Sequence, residues 1–161
     1  MKKALVLLVM VLLLAGVSLA MELGGKTGFG LRADSFSVRR FINNSFACEV
    51  GGYYANSSKT GQADSNQISA FLSGFYVREI YPNTLLEAGA SLQNDQGNDA
   101  GVFFNSLSLN PFVGAEVFIN DHVALDGKLF IGAYSSAMSP NSVRSTSFDL
   151  LTGNLGAHIY L

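Results

Sequence analysis

The segment LTGNLGAHIYL, residues 151–161, decides the reading of the chain. Leu151, Leu155, Ala157, Ile159 and Leu161 share one set of alternate positions, and Thr152, Asn154, Gly156, His158 and Tyr160 share the other. A period of two belongs to a β-strand, whose successive side chains point to opposite faces. One face of this segment suits lipid or an apolar core. The other is polar enough for water.

The same division recurs upstream. Leu125, Leu129, Ile131 and Ala133 oppose Asp126, Lys128 and Tyr134. Leu107, Leu109, Val113, Ala115 and Val117 oppose Ser108, Asn110, Gly114 and Glu116. Leu86, Ala88, Ala90 and Leu92 oppose Glu87, Gly89 and Ser91, and Phe46, Cys48 and Val50 oppose Glu49, Gly51 and Tyr53. Residues 67–80 carry apolar groups on both faces. There the expected outward set is Phe71, Phe75 and Val77.

Turn chemistry separates these segments. Asn43-Asn44, Tyr81-Pro82-Asn83 and Asn120-Asp121 are short connections built from residues that tolerate left-handed φ or preset it. Ser57–Asn66, Asn94–Gly101 and Ser136–Ser145 are longer and rich in Ser, Asn, Asp, Gly and Gln, so they read as solvated loops. Short and long connections alternate, as in transmembrane barrels with short periplasmic turns and longer outer loops. Glu49, Glu87 and Asp126, each just after a short turn, recur at intervals of 38 and 39 residues, one hairpin plus one loop. The expected strands are 24–33, 35–42, 46–57, 67–80, 84–94, 104–118, 122–135 and 146–161. The predicted fold class is all-β, an eight-stranded antiparallel transmembrane β-barrel over 21–161.

Residues 1–20 read differently. Lys2 and Lys3 precede an apolar run from Ala4 to Val17, and Ser18-Leu19-Ala20 places small residues before an expected cleavage after Ala20. That is the layout of a secretory signal peptide. The apolar run is shorter than the roughly 20 residues of a spanning helix. Without Lys2 and Lys3, eight of the ten basic residues face twelve acidic ones, a net charge of −4. An acidic chain argues against nucleic acid as partner. Charged residues make up 14% of the chain, against about 25% in ordinary soluble domains. Cys48 is the single cysteine, which excludes a disulfide framework within the chain. On the apolar face it reads as a small hydrophobe.

Taken together, these segments resemble the small bacterial outer-membrane β-barrel proteins, the group that includes OmpA-like membrane domains and OmpX-like proteins. The resemblance covers the whole chain after residue 20. Its most specific piece is the C-terminal pattern of Asn154, Gly156, Ile159 and Leu161. In that family such a segment is read by the barrel-assembly machinery. The chain departs from the family pattern in ending on Leu161 rather than Phe or Trp. The stretch from Asn110 through Pro111 to Phe118, followed by Asn120-Asp121, is also similar to a strand and turn common in the group. The resemblance implies outer-membrane lipid as the surrounding medium.

Catalytic constellations find little support. Gly24-Gly25-Lys26-Thr27 matches the end of a phosphate-binding loop, but Ala20 stands where that motif needs its first Gly, and Gly28, Phe29 and Gly30 read as strand. Nucleophilic hydrolysis needs a nucleophile, a base and an orienting group within reach. The two histidines, His122 and His158, both fall toward the short-turn side, and His158 reads as a lumen or interfacial polar residue. The eight-stranded barrels that modify lipid A keep catalytic His and Ser near the outer end. The expectation is therefore no enzyme, no cofactor and no metal.

The inward charges are the main candidate site. Glu49, Glu87, Glu116 and Asp126 fall on the polar faces, with Lys128, Arg39 and Arg78 as expected partners. Buried charges must be paired or solvated, and the interior of an eight-stranded barrel is just filled by side chains. An ionic plug is the expected arrangement; a narrow ion path is its functional rival. Three roles stay open at this stage: an envelope protein acting through its outer loops on a surface partner or ligand, a porin-like pore for small solutes, and a soluble periplasmic ligand-binding barrel.

Overall fold

A computed structural model describes residues 22–32, 35–57, 65–99, 102–131, 133–138, 144–149 and 152–161. The expected signal peptide and its cleavage point lie outside the described residues. Ten strands run in chain order: β1 (Thr27–Arg32), β2 (Phe36–Asn43), β3 (Phe46–Ser57), β4 (Ser65–Tyr81), β5 (Thr84–Asp99), β6 (Val102–Asn120), β7 (Val123–Phe130), β8 (Ala133–Met138), β9 (Arg144–Asp149) and β10 (Thr152–Tyr160). Both β7 and β8 pair with β6, at successive heights, and form one stave. β9 and β10 form another, pairing with β8 and β7 respectively. The β5–β6 and β1–β10 ladders complete the ring. The fold is a closed, eight-stranded antiparallel β-barrel.

Short turns gather at one end, and their chemistry is local. Asn43 Oδ1 accepts from the Ser45 amide at 2.8 Å, and Asn120 Oδ1 accepts from the His122 and Val123 amides at 2.9 Å each. Asn83 holds a left-handed φ of 63°, which Asn adopts more readily than most residues. The N-terminal segment closes this end. Asn44 Oδ1 accepts from the Leu23 and Gly24 amides, and the Leu23 side chain is buried. The strand expected from residue 24 begins at Thr27 instead, because Gly25, at a φ of 86°, turns the chain first.

Strands reach further toward the opposite end than the polar composition implied. β5 continues to Asp99 and β6 starts at Val102, so most of the expected loop Asn94–Gly101 is ladder, paired through Asn98↔Phe103 and Asp99↔Val102. β8 likewise runs to Met138 and β9 starts at Arg144. Polar side chains are compatible with a strand wherever both faces meet water, and antiparallel pairing satisfies the backbone there.

The faces follow the expected alternation on β3, β5, β6, β7 and β10. Val50, Leu92, Leu109, Leu125, Leu129 and Ile159 are exposed on the outer face, whereas Glu49, Glu87, Glu116 and His158 are buried inside. On β4 the expectation is reversed. Phe75 and Val77 are buried, Phe71 lines the lumen, and Ile68, Leu72 and Tyr76 stand outside. The cause is an aromatic layer inside the barrel. Phe75 meets Phe112 edge-on at 5.6 Å, and Phe118 and Phe41 flank Tyr160 at 5.2 and 5.7 Å. Apolar groups thus fill the short-turn end of the lumen.

Candidate functional site

Among these aromatic rings lies a charged layer. Arg39 on β2 is its hub, with no exposed surface. Its Nη1 lies 2.7 Å from Glu87 Oε1 and 2.8 Å from Glu116 Oε2, and its Nη2 lies 3.1 Å from Glu49 Oε2 and 3.6 Å from Asp126 Oδ2. Four carboxylates from β3, β5, β6 and β7 therefore converge on one guanidinium. Only a planar fork with donors on several sides can serve that many acceptors.

Two further cations surround the hub. Lys128 Nζ donates to Glu49 Oε2. Arg32 Nη2 donates to Glu49 Oε1 at 3.0 Å and to Asp126 Oδ2 at 3.3 Å. The His158 ring stands 3.3 Å from Asp126 Oδ1, 3.4 Å from Glu116 Oε1 and 3.6 Å from Glu49 Oε1. Tyr160 donates its hydroxyl to Glu116 Oε1 at 2.7 Å. The Arg39 guanidinium also lies over the Phe75 ring, 5.0 Å from its centroid, and Lys128 Nζ lies 4.7 Å from that of Phe112. Here the cations pack directly against aromatic rings.

Pairing register explains the convergence. Arg39 is directly opposite Glu49, and Glu116 is opposite Asp126. Inward glycines make the room. A Cβ on Gly30 would collide with Ser37 and His158, one on Gly28 with the Tyr160 ring, and one on Gly156 with Asp126 and Arg32. Large and absent side chains alternate inside the wall, as filling a narrow barrel requires.

Six of the seven expected lumen charges therefore meet: Glu49, Glu87, Glu116, Asp126, Lys128 and Arg39. Arg78 does not join them. It is exposed on the outward positions of β4, beside the short-turn end, since the even-numbered residues of that strand from Asn66 to Arg78 face outward. Arg32 and Tyr160 complete the cluster without having been expected there, and His158, expected as a lumen or interfacial polar residue, joins it. Their signal was parity. Arg32 shares its set with Gly28 and Gly30, and His158 and Tyr160 lie on the face already read as polar. His122 lies at the short-turn end, its Nδ1 3.1 Å from the Tyr160 carbonyl oxygen. Cys48 is half-buried.

Among the described residues, no group of His, Cys, Asp and Glu has the arrangement of a metal site. Of the C-terminal pattern, Asn154, Ile159 and Leu161 are exposed, and Gly156 faces Asp126 across the β10–β7 ladder. Gly24–Thr27 forms a turn leading into a strand, with no helix behind it to hold a phosphate. Compared with known proteins, the chain matches no family model and no curated relative.

Proposed function

We propose that this protein is a non-enzymatic integral β-barrel of a bacterial outer membrane, with a plugged lumen and a structural or interaction role exercised at its loop end. The observation that carries this reading is the inversion of the two faces. Phe29, Leu31, Phe36, Val50, Leu72, Leu109, Leu125 and Ile159 are exposed on the outside, while a layer of carboxylates, guanidinium groups and an ammonium is sealed within. In water an apolar surface this continuous is an association hazard. In lipid it matches the solvent, and closure of the ring leaves no open edge around the lower wall.

The borders of the apolar zone support the same reading. Toward the loop end polar side chains join the outer face, where Asn94 donates to Asn105 Oδ1 at 2.9 Å and Gln96 donates to Asn94 Oδ1 at 3.0 Å. Toward the short-turn end stand Arg40, Arg78, Tyr76 and Tyr81, all exposed. Aromatic and cationic side chains favour such membrane–water borders. The lipid surroundings, handling by the barrel-assembly machinery and secretion behind a cleaved signal peptide are parts of this proposal.

The charged layer favours a closed lumen over a porin-like one, because Arg39 and its partners span the interior from β2 to β7. A soluble ligand-binding barrel would carry its apolar face inside.

Heat-modifiability tests the reading. Protein refolded into lipid should migrate differently with and without boiling, and the native protein should fractionate with outer membranes. A soluble periplasmic protein with no heat shift would overturn it. Single-channel conductance of the refolded barrel near background supports the plug; discrete, frequent openings would favour the pore.

A further inference from the structure

Between the charged layer and the loop end, the lumen holds a cavity of about 220 Å³. Its floor carries Arg32 and Lys128, whose side chains are 8% and 2% exposed. Ser73 and Ser91, both buried, line its wall, and Phe71 and Phe130 add aromatic faces. No carboxylate lines it among the described residues. Both hydrogen bonds that Arg32 makes to the cluster leave from Nη2, and its Nε is buried without an acceptor. Lys128, with three donors, gives one to Glu49. Donor capacity on this floor thus exceeds what the cluster below takes up.

β1 ends at Arg32 and β2 begins at Phe36, whereas β3 continues to Ser57. Above Gly52, β3 pairs with β4 alone, and β9 pairs with β8 alone. Among the described residues no ladder joins β9 to β3. Arg32, Ser35, Tyr53 and Asn154 line the cavity on that side.

We propose that the cavity binds small aryl carboxylates. The carboxylate would accept from the Arg32 guanidinium and the Lys128 ammonium, where charge-assisted bonds are strongest. The ring would lie between Phe71 and Phe130. Pockets for drug-sized ligands start near about 300 Å³, so this one selects smaller molecules of benzoate size. The proposal goes beyond the envelope role above and requires only the folded barrel, not its cellular location.

Fluorine NMR of 4-fluorobenzoate with protein refolded in zwitterionic detergent tests it. Two controls of the same shape are 4-fluorobenzyl alcohol and 4-fluorobenzylammonium. The carboxylate should bind saturably, and both controls at least about tenfold more weakly. Arg32→Gln should weaken carboxylate binding by about tenfold or more, and Ser91→Leu, which fills the cavity, should abolish it while the heat shift persists. Equal binding of the three probes would show partition into micelles only and overturn the proposal. Undiminished binding in folded Ser91→Leu would overturn it as well. The probe comparison uses unaltered protein and so decides the matter even if both variants misfold. Absence from the outer membrane would contradict the envelope role and leave these outcomes standing.

Discussion

Arg39 Nη1 and Glu87 Oε1, 48 residues apart in sequence and on strands that do not pair, lie 2.7 Å from each other with no solvent exposure on either side chain. This contact ties β2 to β5 across the lumen rather than along the wall. Breaking a buried ion pair from one side costs about 3–5 kcal/mol, because the abandoned charge stays buried. Arg39→Met should therefore lower stability by at least that amount, since four carboxylates lose their common partner. Glu87→Gln keeps the shape and one acceptor, and should cost less. Urea unfolding in bilayers, followed by tryptophan-free circular dichroism, ranks the two; equal and small effects would contradict the hub role of Arg39.

The outer face is tested by charge. Leu129 is 44% exposed on β7, between Leu125 and Ile131 on the same face. An arginine near the midplane of a lipid-facing strand costs roughly 2–4 kcal/mol. Leu129→Arg should show this loss in bilayer unfolding. A variant that folds into bilayers as well as the parent would refute the assignment of this face to lipid.

Glycine positions give a matched pair on one strand. Gly156 faces inward, where a Cβ would strike Asp126 and Arg32, and Gly153 faces outward, where the nearest atom to a Cβ is the Lys128 carbonyl oxygen at 3.7 Å. Overpacking of this kind costs about 1–3 kcal/mol. Gly156→Ala should lose that much, and Gly153→Ala close to none. The same unfolding assay, run on both, checks the contrast.

Turn chemistry yields a third comparison. Asn83 has a left-handed φ of 63° between β4 and β5. A β-branched residue there costs about 1–2 kcal/mol, and glycine costs nothing sterically. Asn83→Val should slow or weaken folding of this hairpin, and Asn83→Gly should preserve it, as read by refolding yield on heat-modifiability gels.

Most of the barrel was legible because one property, the two-residue period, is local and is enforced by a filled lumen on one face and an exposed outer surface on the other. It failed on β4. Phe71, Phe75 and Val77 are as apolar as Ile68, Leu72 and Tyr76, and the lumen needs apolar filling near its short-turn end, so hydrophobicity could not choose a face. Strand ends were misjudged for a related reason. Asn94–Asp99 is polar on both faces, which describes a loop and a water-bathed strand equally well. The charged layer was largely readable, since buried carboxylates imply cations nearby. Its full membership was not, because Arg32 and Tyr160 join through register across β1, β7 and β10 rather than through spacing.

The central claim is that the outer face from the short turns to the Asn94–Asn105 contact meets lipid. Nitroxide labels, placed one at a time in a Cys48→Ser background and reconstituted into bilayers, test it most directly. At Leu72, Leu109, Leu125 and Leu129 the label should relax with dissolved oxygen and be shielded from a water-soluble nickel chelate. At Gln96 and Asn105 the preference should reverse. Nickel access at every one of these sites, with no change along the barrel, would contradict the account.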